Sequence, residues 1–238
     1  MRRFFYIQAI LFIHVISIAQ QAADTSTVSG SDPVTIYYQT LGEQSPLFNA
    51  REYVDFPGII HVGHPFYKTT EFTKGAVHYD GMIFEDAMLL YDIINDKLLV
   101  LHYNGIYKID LPVQKISEFK LLDCHFIRLF PDSAKVIEEG FYERLYKGKI
   151  TVFAKRQKNF REERTANDIL RVVDEKNFLY IEKQGVYHPV KNIKGLLNVL
   201  NNRREAVRQH LRKKGIKFRK NREAAVLTAA QYYDSLSN

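Results

Sequence analysis

Residues 75–110 read GAVHYDGMIFEDAMLLYDIINDKLLVLHYNGIYKID, and this stretch, continued to residue 131, decides the fold. Short apolar runs alternate in it with Asp80-Gly81, Asn95-Asp96 and Asn104-Gly105. Asp-Gly and Asn-Gly supply the positive φ angles of a type I′ hairpin turn, and Asn-Asp is a common turn pair. The spacing therefore predicts an antiparallel β-meander with strands at 76–79, 82–84, 88–94, 97–103 and 106–110. Along 97–103, Leu98, Val100 and His102 face one way, and Leu99, Leu101 and Tyr103 the other. Both faces are largely apolar, so the strand needs cover on both, as in a sandwich or half-barrel.

Working outward, residues 113–119 and 125–130 extend the pattern, with Pro112 at an edge or turn. Hairpins follow around Lys147-Gly148-Lys149 and Gln184-Gly185. The charged run 156–168 reads as solvent-exposed. Upstream, residues 47–67 are rich in Phe, Tyr, Gly and Pro, and predict an irregular stretch packing its rings on the sheet. A first short strand is expected at 34–38.

Beyond Val190 the apolar period lengthens to three or four, marking helices. Asn192 should cap one that carries Ile193, Leu196, Leu197 and Leu200. Asn201 or Asn202 should cap a second, ending at Gly215, whose apolar Val207 and Leu211, with His210, oppose an Arg204-Arg208-Arg212 stripe. Asn221 should cap a third, with Val226, Ala229, Ala230, Tyr233 and Leu236 inward. The fold class is mainly β with α: a meander body at 41–190, then a small basic helical subdomain at 191–238 packed on it.

The chain opens Met1-Arg2-Arg3, runs apolar to Ala19 and offers a small-x-small site at Ser17-Ile18-Ala19. This predicts a signal peptide over 1–19, cleaved after Ala19, with a mobile polar lead-in at 20–40 and no transmembrane segment after cleavage. Cys124 is the sole cysteine, so an intramolecular disulfide is excluded, and no cysteine follows Ala19 to accept a lipid. The thiol reads as a buried hydrophobe in a strand. No Asn-x-Ser/Thr acceptor occurs. The expected location is periplasmic or secreted, and the final residues lack the terminal aromatic strand of a membrane-spanning barrel.

The formal charge of +7 is unevenly placed. From Lys191 onward, 12 Lys and Arg stand against 3 Asp and Glu, whereas residues 20–190 carry 20 basic and 24 acidic residues. The candidate anion-binding set is Arg204, Arg208, Arg212, Lys213, Lys214, Lys217, Arg219, Lys220 and Arg222. Outside the cytoplasm its expected partner is anionic lipid, glycan or an acidic envelope protein, and no nucleic acid. A solvated face neutralised by the acidic body is the competing reading.

Chemistry-bearing motifs are sparse. His61 and His64, with Asp55 and His78, are the best metal candidates, but that spacing also suits ordinary turn histidines. Asp80, Glu85, Asp86 and Asp92 could pair as acid and base, yet turn chemistry accounts for such residues. No Gly-x-Ser-x-Gly elbow or phosphate loop occurs, so no cofactor and no catalytic residue is assigned.

Several phrases in order carry a resemblance: Leu47-Phe48-Asn49-Ala50-Arg51-Glu52-Tyr53, Gly63-His64-Pro65-Phe66, Gly75-Ala76-Val77-His78-Tyr79-Asp80-Gly81, Leu90-Tyr91-Asp92-Ile93, Gly140-Phe141-Tyr142-Glu143 and Lys217-Phe218-Arg219-Lys220. Together they resemble a group of uncharacterised exported proteins of bacteria with an outer membrane. That likeness implies envelope localisation and a shared fold. The expected function is a non-enzymatic envelope accessory or binding protein acting through the basic helices. The alternative is a carrier or hydrolase acting on an amphiphile in a half-barrel cavity.

Overall fold

Strands β1 (Arg51–Glu52), β2 (Thr73–Tyr79), β3 (Met82–Asp92), β4 (Lys97–Leu101) and β5 (Lys108–Asp110) form the first part of one antiparallel sheet. The sheet continues through β6 (Ile116–Leu121), β7 (Cys124–Leu129), β8 (Gly140–Lys147), β9 (Thr151–Arg164), β10 (Ile169–Lys183) and β11 (Val186–Pro189). Helices α1 (Ile193–Val199), α2 (Arg204–Lys213) and α3 (Arg222–Ser235) close the chain. The computed structural model describes residues 45–55, 58–131, 135–166 and 168–236. The expected signal peptide, the whole lead-in and the strand at 34–38 lie outside the described residues.

Turn chemistry explains most of the hairpins. Asp80 (φ 53°) and Gly81 (φ 81°) reverse the chain between β2 and β3, and Gln184 (55°) and Gly185 (78°) do so between β10 and β11. Asn104-Gly105 behaves differently. The His102 N–H bonds to the Tyr107 carbonyl (2.8 Å) and the Gly105 N–H to the His102 carbonyl (2.8 Å), so the reversal is a longer loop. Leu122 (50°) and Asp123 (60°) make a turn that an apolar Leu conceals in the sequence.

The two strands expected at 82–84 and 88–94 are one, β3, interrupted only by a bulge where Asp86 takes φ 55°. From β5 the chain returns to the free edge of β2 through five residues that include a 3₁₀ turn. A flat sheet would separate β5 from β6 by four strand spacings, about 19 Å. The six steps from Asp110 to Ile116 would reach about 20–22 Å if extended, but the 3₁₀ turn over Val113–Lys115 rises only about 2 Å per residue and cuts the reach to about 16–17 Å, so the sheet must roll. It rolls until the Lys158 N–H of β9 donates to the Ile93 carbonyl just beyond β3 (3.0 Å), without a ladder that would close it.

The interior of the roll is a ring cluster. Phe119 stacks on Phe126 (4.8 Å between centroids), with Tyr91 and Tyr67 edge-on to Phe126 at 5.1 Å and Phe141 behind Phe119. Leu98 and Val100 join this cluster, while Leu99 packs with Leu90, Tyr53 and Phe66 on the opposite face. β4 is therefore covered on both sides. The upstream stretch supplies that cover: it bonds to the end of β3 (Tyr67 N–H to Tyr91 O, 2.8 Å) and to β10 (His61 N–H to Arg171 O, 2.9 Å).

Residues 156–168 correct the reading of a wholly exposed run. Residues 156–164 form the outer half of β9, and Arg156 and Lys158 are buried. The Arg156 Nε donates to Glu143 (2.6 Å), and its Nη atoms donate to Glu223 of α3 (2.8 and 3.2 Å). Alternation along β8 puts Phe141 and Glu143 on one face up to an irregularity between Arg144 and Tyr146, where Leu145 packs against the other core. The pair thus sits at the seam between the ring cluster and a second core, in which Val152, Ala154 and Ile181 meet Leu196, Leu200, Val207 and Val226 of the helices.

Candidate functional site: a cationic groove on the C-terminal helices

Asn192 Oδ1 accepts the Gly195 N–H (2.9 Å) and starts α1 as expected; α1 buries Leu196 and Leu197 and leaves Ile193 exposed. Neither Asn201 nor Asn202 caps α2. A 3₁₀ turn over Asn201–Arg203 leads in, and Arg203 occupies the N-cap without a side-chain bond. Gly215 (φ 67°) ends α2 as expected, and Ile216 N–H returns to the Leu211 carbonyl (3.1 Å). This reversal brings Ile216 and Phe218 back beside α2 before Asn221 caps α3.

α3 is anchored at both ends by its acids. Glu223 takes Arg156, and Asp234 Oδ2 accepts from the Tyr146 hydroxyl (2.9 Å) and the Lys149 N–H (2.8 Å). Between α2 and α3, His210 stacks on Tyr232 at 3.8 Å. Those contacts hold the helices in one arrangement and occupy two of the acids of the segment.

A groove of about 830 Å³ opens where α1, α2 and the α2–α3 link meet. Its lining is Lys194, Arg204, Arg208, Arg212, Lys217, Arg219 and Lys220, with Ile193, Leu197, Leu211, Ile216 and Phe218. Seven of the 12 lining residues are cations, the other five are apolar, and none is acidic. Successive i, i+4 placement puts the three arginines of α2 on one wall. Of the expected anion-binding set, six residues line the groove. Lys213 and Lys214 are exposed at the end of α2 outside that lining, and the Arg222 Nη2 instead donates to the Val190 carbonyl (3.3 Å). Lys194 was missed because it belongs to another helix, two residues past the Asn192 cap.

Arg208 pairs with Glu205 (2.9 Å), and among the described residues the other six groove cations have no acidic partner. Arg204 keeps its Nε–H buried without a hydrogen bond. Clustered like charges over an apolar floor repel one another, and an anion seated among them relieves that repulsion.

The other sequence candidates are dispersed. The His61 Nδ1 accepts the Arg171 N–H (3.0 Å), Asp55 pairs with Lys108 (2.7 Å), and His78 stands on β2 opposite Glu118. Among the described residues no three His, Cys, Asp or Glu side chains are placed to hold a metal ion. Asp80 bonds Lys115 (2.7 Å), Asp86 lies at the bulge beside Lys74 (3.8 Å), Glu85 is exposed, and buried Asp92 accepts from Tyr53, Ile94 and Asn95. Cys124 is half-buried rather than enclosed, its sulfur 3.4 Å from both the Tyr67 hydroxyl and the Lys68 ammonium.

His64 has a measurable consequence. Burial, and then the Lys158 ammonium, lower its pKa from the ordinary 6.5, with Glu175 partly opposing. The fold keeps the imidazole neutral, so its contribution is intact above pH 6.5 and is lost as pH falls toward the depressed folded value. Wild type is expected to lose more melting temperature between pH 7.5 and 5.5 than His64→Phe. Parallel pH profiles for the two would contradict this.

Fold and groove together define the class: a rolled antiparallel sheet bearing a three-helix subdomain with a cationic, apolar-floored groove. Comparison of the chain with protein families, with curated proteins and with solved structures finds no match. Among the described residues no helix is long and apolar enough to cross a membrane.

Proposed function

We propose that the protein is an exported, non-enzymatic accessory of a bacterial envelope that binds anionic lipid surfaces through the groove of its C-terminal helices. The single observation that carries this reading is the lining of seven cations, five apolar side chains and no acid. A merely solubilising face mixes both signs of charge. A glycan or an acidic protein would answer the cations but leave the apolar floor without a role, whereas a lipid interface engages both. Ion pairs with the acidic body do not neutralise the groove, since its sole acidic contact among the described residues is Glu205, within α2 itself. The rolled sheet is filled by its rings, so an amphiphile finds its place in the helical groove rather than in the half-barrel.

Each Lys or Arg near an anionic bilayer surface contributes about 1 kcal/mol. The variant Arg204→Glu/Arg208→Glu/Arg212→Glu is therefore expected to lose at least about 100-fold in affinity for vesicles of phosphatidylcholine and phosphatidylglycerol. Wild-type retention should weaken with salt and vanish on phosphatidylcholine alone. Unchanged retention of the triple variant, with an unaltered melt, would overturn the reading.

A further inference from the structure

We infer that the groove takes up one single-chain amphiphile with a phosphate-monoester headgroup, so that the protein carries a lipid molecule as well as touching a lipid surface. The inference rests on the lipid-binding reading above and deepens it. A purely peripheral protein needs only a basic face, and the apolar part could lie flat. Here the apolar part is recessed. Leu197 and Leu211 are buried beneath the groove, with Ile193 of α1 and Ile216 and Phe218 of the α2–α3 link rising around them. Its volume, about 830 Å³, falls within the range of about 300–1,000 Å³ of pockets that enclose a small ligand.

The walls select the headgroup. Three guanidinium groups stand on one helix face, and such groups match the oxygens of a phosphate in paired hydrogen bonds where a single ammonium offers only a point charge. A phosphate monoester carries roughly −1.5 to −2 at neutral pH and three acceptor oxygens, more than a carboxylate supplies. The Arg204 Nε–H is buried and makes no hydrogen bond among the described residues. A chain over Leu197 and Leu211 with its phosphate among Arg204, Arg208 and Arg212 uses floor and wall together.

The test is calorimetric titration of the full chain with monododecyl phosphate below its micelle concentration. One molecule per protein is expected to bind, with inorganic phosphate at least about 100-fold weaker. Decyl phosphate should be about 15-fold weaker, since each buried methylene contributes about 0.8 kcal/mol, or fourfold. Ile193→Trp, which fills the exposed lip while sparing every cation, should lose tenfold or more for dodecyl phosphate. Ile216→Trp is a second filling variant at a different wall. The inference is overturned by the absence of saturable one-to-one uptake, by equally tight binding of uncharged dodecyl maltoside, or by filling variants that bind as wild type. If uptake fails while vesicle retention persists, the carrier inference alone falls. If both fail, the lipid-binding reading falls with it.

Discussion

Replacing Arg156 with Met is expected to cost the fold about 3–5 kcal/mol, because it strands the Glu143 carboxylate, 6% exposed, without its cation. Burial opposes the charge on Arg156, but the bonds to Glu223 and Glu143 outweigh it and hold the guanidinium's pKa above its ordinary value. The ion is thus charged throughout the usable pH range. For a chain of this length the loss corresponds to a fall of about 6–20 °C in melting temperature. The loss should be uneven across the network. Glu223, at 37% side-chain exposure, can turn to water, so Glu223→Gln should cost only about 1 kcal/mol. Glu143 cannot turn away, since Tyr67 and the ring cluster lie against it. Removing both charges in Arg156→Met/Glu143→Leu should recover most of the single variant's loss, as apolar replacement of a buried pair generally does. A loss below about 1 kcal/mol for Arg156→Met would show that water reaches Glu143 and that the seam is not dry.

Why that seam was not legible in the sequence follows from period and composition. Around Leu98-Leu99-Val100 every residue is apolar, so both faces were visible as faces needing cover, and the structure covers both. Around Arg156 the run Lys155-Arg156-Gln157-Lys158-Asn159 is polar at every position, so alternation leaves no trace although Arg156 and Lys158 point inward. Their burial is made tolerable by distant partners: Glu143 and Glu223 for one, the carbonyls of His64 (3.1 Å) and Phe66 (2.6 Å) for the other. No local pattern announces contacts 13 to 94 residues apart. The same limit applies to the groove. The i, i+4 arginines were legible as one helix wall, but the floor is assembled from α1, α2 and the link after Gly215, and only tertiary packing puts Lys194 and Ile193 opposite them.

The second large effect is expected at Phe126, which has no solvent exposure and touches the rings of Phe119, Tyr67 and Tyr91. Phe126→Ala should cost about 3–5 kcal/mol, the lost transfer of the ring plus the cavity left behind. Collapse around that cavity is hindered because its walls are strands. Phe119 faces Phe126 across the β6–β7 ladder, and neither strand can move inward without breaking hydrogen bonds to β2 or β8. Phe126→Leu keeps most of the volume and should cost about half as much or less. Urea titration should show both as shifts in midpoint with an unchanged slope, and a Phe126→Ala loss under about 1 kcal/mol would mean that the roll can close on the gap. The groove floor belongs to the second core, so on the proposed lipid-binding reading Phe126→Ala, well below its own melting temperature, should bind anionic vesicles with unchanged affinity. Arg156→Met acts on the residue that bonds α3 to β8 and β9, so weakened vesicle retention in that variant alone would locate the coupling between sheet and groove at Glu223.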